Sequence, residues 1–201
     1  MTRVDEIVVR RLGRTQYADA LQAMKEFTSR RTEATPDELW LVEHPAVYTL
    51  GQGASHRDVS NGIPVVRSDR GGDITYHGPG QVVLYALVDL GRRGIKVKQF
   101  VSLLEQAVID FLGRGERRSG APGVYVDGAK VAALGIRVCQ GRAYHGLSLN
   151  VDMDLAPFRA IDPCGYPGLA VTQLRDLGIA QSVQEAGERL IQHLAMRLEN
   201  A

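Results

Sequence analysis

The sequence predicts an α/β chain of the α+β type, a mixed β-sheet with flanking helices. Three observations predict it. Short β-branched and aromatic runs cluster in groups, within 38–50, 64–88 and 124–151. Segments with a helical apolar period lie between and after those groups, at 15–31, 98–112 and 182–198. No regular strand-helix alternation runs along the chain, which argues against a doubly wound array.

The elements follow in order. Ile7–Arg10 reads as a short strand. Thr15 is placed to cap a helix that carries Tyr17, Ala20, Leu21, Met24 and Phe27 on one face. Arg30 and Arg31 near its end suit the helix dipole. Glu38–Glu43 and Val47–Leu50 are strands, with His44-Pro45 ending the first. Gly51-Gln52-Gly53 invites a nucleotide-loop reading, but no third glycine and no helix follow it. Pro64–Val66 and the apolar run Val82–Val88 are strands, the second buried. Lys98–Leu112 is a helix with Val101, Leu104, Val108 and Phe111 facing inward. Val124–Val126, Asp127-Gly128 and Ala129–Cys139 form a hairpin, because Asp-Gly tolerates the positive φ of a type I′ turn. Gln140-Gly141 is a second turn, into Arg142–Val151. The last helix starts at Ser182, with Glu185 completing a capping box. Its stripe is Val183, Ala186, Leu190, Leu194 and Leu198.

Composition bounds the function. A chain of 201 residues fits a single domain over 1–201 and buries a sizeable core without disulfides. Lysine plus arginine number 24 against 23 acidic residues, which argues against a general nucleic-acid binder. The arginines of 114–118 are interrupted by Glu116 and read as a solvated loop. The first residues, with charges mixed in early, do not read as a signal peptide, and no segment reaches transmembrane length. Two cysteines make no disulfide framework, so reduced thiols in a cytoplasmic protein are expected. No Cys-x-x-Cys or His-x-x-x-His pair points to a metal, no Gly-x-x-x-x-Gly-Lys loop is present, and no cofactor is implied.

The densest motif is Arg70–Tyr85, RGGDITYHGPGQVVLY. Its glycines permit turns and close approach of a ligand to bare peptide groups, just before a core strand. Arg70 and His77 bracket the bend, as the wall of a binding site or as solvent-facing loop residues. Its pattern, R-G-G-x-x-T-Y-H-G-P-G-Q-x-x-x-Y, resembles the signature of the lipoyl(octanoyl) transferases, and the likeness runs from about Val9 to Leu177. The resemblance implies the biotin/lipoate protein ligase-like fold. It also implies transfer of an octanoyl group from octanoyl-acyl carrier protein to a lysine of lipoyl domains. The acceptors implied are lipoyl domains of 2-oxoacid dehydrogenase complexes and the glycine cleavage H protein, with no nucleic acid and no membrane. Ala86 departs from the family pattern, which has proline after the tyrosine.

Two residues are candidates for the chemistry. Cys164 lies in Asp162-Pro163-Cys164-Gly165, a turn that exposes sulfur; its residues alone allow a nucleophile or a small gap-filler. The family places its acyl-accepting cysteine in a matching P-C-G stretch. Lys130 follows the Asp-Gly turn among Ala129, Val131, Ala132 and Ala133, where a solvated strand lysine is the ordinary alternative. The stretch resembles the family's G-x-K-[IV]-A-x-[IL]-G, whose lysine pairs with the catalytic cysteine, and a cation beside a thiol favours the thiolate. Cys139, in a strand-like run, is expected to be structural.

If Gln140-Gly141 is a two-residue turn, residues equidistant from it face each other. Gly135 then opposes Gly146 and Ala133 opposes Ser148, leaving a notch for an acyl chain or marking a sheet bend. The family's substrate contacts resemble Arg70, Gly71, Gly72, Asp73, Ile74, Thr75, Tyr76 and His77, together with Ala133, Leu134, Gly135, Gly146, Leu147 and Ser148. His77 is a polar anchor or a proton carrier; His145 is expected to pack. A lipoate ligase, an acyl thioesterase and a non-catalytic lipoyl-domain binder are the alternatives.

Overall fold

The run Val82–Val88 becomes the middle of a nine-residue strand, Gln81–Asp89, in which every residue but the last is buried. The computed structural model describes residues 7–54, 59, 61–161 and 168–201. In chain order the elements are β1 (Val8–Arg14), α1 (Tyr17–Arg30), β2 (Glu38–Glu43), β3 (Val47–Leu50), β4 (Val65–Arg67), β5 (Ile74–His77) and β6 (Gln81–Asp89). They continue with α2 (Leu90–Arg93), α3 (Val97–Leu112), β7 (Glu116–Arg117), β8 (Gly123–Val126), β9 (Ala129–Cys139), β10 (Arg142–Asn150) and α4 (Val183–Glu199).

Seven strands form one sheet in the order β1-β2-β6-β10-β9-β8-β7. β1 and β2 are parallel and the other pairs antiparallel, so the sheet is mixed as the sequence predicts. The remaining three strands make a second sheet, β4-β3-β5, which the sequence pattern does not separate from the first. Alternate residues of β6 point to opposite faces. Val82, Leu84, Ala86 and Val88 pack with α3 and α4 in the larger core. Val83, Tyr85 and Leu87 pack with Tyr17, Ala20, Leu21 and Met24 of α1. A third cluster joins Tyr48, Leu50, Ile74 and Tyr76 of the small sheet to Met153, Phe158 and Ile161.

Both predicted turns form. Asp127 and Gly128 have φ of 49° and 82°, and Gln140 and Gly141 have 50° and 77°. Positive φ at both central residues is the type I′ geometry that matches strand twist. The second turn sets the register, and Gly135 pairs with Gly146 and Ala133 with Ser148. Ser182 and Glu185 form the reciprocal capping box. At α1 the cap is Gln16, without a side-chain bond, and not Thr15. Thr15 is used elsewhere: its hydroxyl donates to Leu12 O and its N–H to Glu43 O.

One polar cluster ties the ends of several elements together. Asp37 is 1 % exposed and accepts from Arg31, Arg92, Arg93 and the Asp89 N–H. Arg93 also donates to Leu198 O near the end of α4.

Candidate active site

The Arg70–Asp73 loop enters β5, and Arg70 builds the loop from inside. Its guanidinium donates to Thr49 O at 2.6 Å, Thr49 Oγ1 at 2.8 Å, Asp73 O at 2.8 Å and Gly71 O at 2.9 Å. Gly71 N–H donates to Ile136 O, which docks the loop on β9. Gly51-Gln52-Gly53 pairs with the same loop through Gly51 N to Asp73 O, Gln52 N to Arg70 O and Gly53 N to Gly72 O. A Cβ on Gly51 would run into Gly72 O, so this Gly-x-Gly serves close backbone packing.

A pocket forms where this loop, α1 and the α1-facing side of the large sheet meet. Arg70, Gly72, Asp73, Thr75, His77, Ala133, Leu134, Gly135, Gly146, Leu147 and Ser148 line it, which brings most of the predicted binding residues together. Gly71, Ile74 and Tyr76 do not line it. The period of a strand explains two of them. Thr75 and His77 face the pocket while Ile74 and Tyr76 face the small-sheet core, where Tyr76 packs on Tyr48 and Phe158 at 5.5 and 5.4 Å. Gly71 instead holds the loop to β9.

The facing glycines do not both leave open space. A Cβ on Gly135 would sit 3.0 Å from Gly71 O and 3.2 Å from Arg70 Cδ, so the loop covers it. A Cβ on Gly146 would collide with Leu84 O of β6, within the sheet itself. Gly146 is therefore required by strand packing, and the groove lies around the pair, not in a notch left by both.

Tyr17, Val83, Tyr85 and His145 complete the lining, none of them expected there from sequence. Tyr85 ends the signature run, which was a signal for it; Tyr17 read only as part of an apolar helix face. His145 has the one clear backbone anomaly of the group, a φ of 63°. Its Nε2 lies 2.8 Å from Asp69 Oδ1, and its buried Nδ1 has no hydrogen-bond partner among the described residues. Asp69 also accepts from Tyr144 OH at 2.6 Å and lies 3.4 Å from Lys25 Nζ. Burial opposes its charge, but the bonds from His145 and Tyr144 outweigh it and hold the carboxyl well below the usual range.

The other two pocket-region histidines are bonded. His44 bridges Thr15 O at 2.6 Å and Tyr85 OH at 2.7 Å. His77 Nδ1 lies 2.8 Å from Gln81 Oε1, and its ring stacks on Tyr17 with centroids 5.9 Å apart. Burial, and then the neighbouring His44, push His77 down to about 3. His77 is thus a buried, hydrogen-bonded ring that is neutral near pH 7.

Lys130 is 3 % exposed, not solvated. Its Nζ donates to Pro122 O at 3.2 Å and lies 5.2 Å from the Tyr125 ring centre. It sits three residues before Ala133 on β9, outside the pocket lining. Its backbone bonds the chain that follows Gly168: Lys130 N–H to Ala170 O at 2.8 Å, and Thr172 N–H to Lys130 O at 2.9 Å. Cys164 lies outside the described residues. Cys139 is exposed at the end of β9, so it fills no core gap. Among the described residues no group of three His, Cys, Asp or Glu side chains is placed to hold a metal, and no helix is long and apolar enough to cross a membrane.

Residues 16–195 match the lipoyl protein ligase A/B catalytic domain. An octanoyltransferase of Dechloromonas aromatica (strain RCB) is 58 % identical over 200 residues, covering 96 % of this chain and 97 % of that one. The chain belongs to the octanoyltransferase family. Among solved structures, the bi-partite lipoate protein ligase of Thermoplasma acidophilum matches with a TM-score of 0.71 at 16 % identity, over 96 % of this chain and 84 % of that one. A biotin protein ligase from Aquifex aeolicus matches with a TM-score of 0.55 at 11 % identity, over 97 % of this chain and 69 % of that one. At such identities the likeness is one of fold, and it is the fold of the biotin and lipoate protein ligases. Membership makes the chain an acyltransferase of protein lipoylation.

Proposed function

We propose that this chain transfers octanoyl from octanoyl-acyl carrier protein to a lysine of lipoyl domains through a thioester on Cys164. The thiolate of Cys164 attacks the donor carbonyl, the bond to the carrier sulfur breaks, and the carrier thiol leaves. The acceptor lysine amine then attacks the acyl-cysteine. A carbon–nitrogen bond forms, the cysteine sulfur leaves, and the amine gives up a proton. As an ammonium Lys130 favours the thiolate and gives its proton to the departing carrier sulfur; the neutral amine then takes the proton of the acceptor amine, which restores the thiolate–ammonium pair. The acyl chain lies in the groove between the Arg70–His77 segment and β9-β10. A thioester becomes an amide, so the reaction runs downhill without ATP. The acceptors are lipoyl domains of 2-oxoacid dehydrogenase complexes and the glycine cleavage H protein, in the cytoplasm.

The observation that carries this reading is the join between groove and lysine. One strand, β9, supplies both the buried Lys130 and the groove residues Ala133 and Gly135, and the chain after Gly168 is bonded to Lys130. The test is intact-protein mass spectrometry after brief exposure to octanoyl-acyl carrier protein, followed by peptide mapping. An octanoyl adduct on Cys164, discharged by a lipoyl domain, is expected. An adduct on Cys139, on a lysine or nowhere defeats the scheme. The shared fold makes a lipoate ligase the second reading; under it Cys164→Ala keeps activity with ATP and lipoate.

A further inference from the structure

Lys130 is held by a cradle that none of the catalytic motifs contains. The bend Ala121-Pro122-Gly123 leads into β8, whose first residue is Gly123, and its Pro122 carbonyl accepts from Lys130 Nζ at 3.2 Å. Gly123 has a φ of 146°, and a Cβ there would stand 3.0 Å from Lys130 Cε, 3.3 Å from Nζ and 2.7 Å from Ala132 O. The missing side chain is the channel through which the lysine passes. Two side chains fix this bend. Glu105 of α3 is 6 % exposed, and its Oε1 accepts from Gly123 N–H at 3.0 Å. Tyr125 is 1 % exposed; its hydroxyl donates to Ala121 O at 3.0 Å, and its ring centre lies 5.2 Å from Lys130 Nζ.

A buried carboxylate on the core side of an amphipathic helix is costly unless it is bonded, and apolar residues would fill that position at no such cost. The other residues buried on α3, Phe100, Leu104, Ala107, Val108 and Phe111, are all apolar. Glu105 spends its bond on one backbone N–H, that of the glycine against the lysine. A ring within about 6 Å of an ammonium attracts it through the ring quadrupole. We infer that Glu105 and Tyr125 are positioning residues for the reaction, which set the place of the Lys130 amine through the Ala121–Gly123 bend. The inference rests on the proposed role of Lys130. It adds that the lysine is aimed by an α3 carboxylate and a β8 ring, neither of which lines the pocket.

The test uses four variants of the full chain: Glu105→Gln, Glu105→Leu, Tyr125→Phe and Tyr125→Leu. Gln keeps the acceptor without the charge, and Phe keeps the ring without the hydroxyl. Two readouts are taken. One is kcat and KM for octanoyl transfer. The other is competitive acetylation with limiting acetic anhydride, in which mass spectrometry compares Lys130 with the half-exposed Lys25. Glu105→Leu and Tyr125→Leu are expected to lower kcat tenfold or more with KM for the donor little changed, and to raise Lys130 acetylation severalfold relative to Lys25. Glu105→Gln should recover most of the loss in both readouts, whereas Tyr125→Phe, which keeps the ring but not the hydroxyl bond to Ala121 O, should recover only part of it. Parent-like acetylation and kcat in folded Leu variants overturn the inference. So does an equal loss in Gln and Leu, because a charge effect would then be acting instead of the bend. The acetylation ratio reads the place of the amine whatever its chemistry. If Lys130→Met proves active, the proposed role of Lys130 fails, while the labelling still decides whether the cradle holds it.

Discussion

Gly135 and Gly146 stand opposite each other across β9 and β10, yet the space beside each is closed by a different part of the molecule. At Gly135 the obstacle is the Arg70-Gly71 loop; at Gly146 it is the backbone of β6. A loop can shift by a few tenths of an ångström, whereas an interior strand paired on both sides cannot. Gly135→Ala should therefore fold with a modest loss, about 1 kcal/mol, and impair octanoyl transfer by moving the loop. Gly146→Ala should cost more than about 3 kcal/mol. Urea unfolding of both variants checks this, and equal stability of the two would refute it.

Arg70 gives a second prediction. Its planar fork reaches Thr49, Gly71 and Asp73 at once, which a lysine ammonium on its flexible stem cannot reproduce. Arg70→Lys should loosen the Gly71–Asp73 wall, raise KM for the acyl donor severalfold and cost about 2 kcal/mol of stability, roughly that of one lost charged hydrogen bond. Unchanged KM in steady-state kinetics would show that the loop holds without it.

Local rules made much of this architecture legible, because two-residue turns fix register. Asp127-Gly128 and Gln140-Gly141 place β8, β9 and β10 in line, and the pairing of Ala133 with Ser148 follows by counting. The capping box at Ser182 and Glu185 is equally local. The pocket's other wall was not legible in this way. Tyr17 comes from α1 and Tyr85 from β6, and His145 turns inward through a φ that histidine seldom adopts. Nor does any local pattern show that β3, β4 and β5 leave the large sheet. The role proposed for Lys130 comes from the likeness of a short motif to the family and not from spacing, since on β9 it reads locally as a solvated strand residue.

Asp37 supports a stability prediction away from the site. Burial opposes its ionisation, but the Asp89 N–H and the guanidinium groups of Arg31 and Arg93 outweigh burial and hold the carboxyl below its usual range. Asp37→Asn keeps the shape and removes the charge, leaving the buried Arg31 side chain without its counter-ion. A loss of about 3–5 kcal/mol is expected, the scale for breaking one partner of a buried pair. Chemical denaturation measures it, and a loss under 1 kcal/mol would mean that solvent replaces the carboxylate.

The last prediction concerns acid. His77 is pushed down to about 3, and burial also lowers His44 and His145, the latter despite its bond to Asp69. In the unfolded chain a histidine titrates near about 6.5. The unfolded state therefore binds more protons than the native state once the pH falls below that value. Stability rises with pH wherever this holds, so it is fully present above about 6.5 and declines as the pH drops. Each histidine kept neutral contributes a slope of about 1.4 kcal/mol per pH unit over the window between its two pKa values. Asp37 and Asp69, both held below their usual range, act in the same direction but only below about pH 5, where unfolded aspartates begin to protonate. Urea unfolding at pH 7, 6 and 5 should show ΔG falling with a slope of more than one proton. His77→Gln, which cannot be charged, should remove about one proton from that slope. A ΔG that is flat between pH 7 and pH 5 would mean that the three rings are already charged in the native fold or are reached by solvent, and the place of His77 and His145 as a neutral wall of the pocket would be lost.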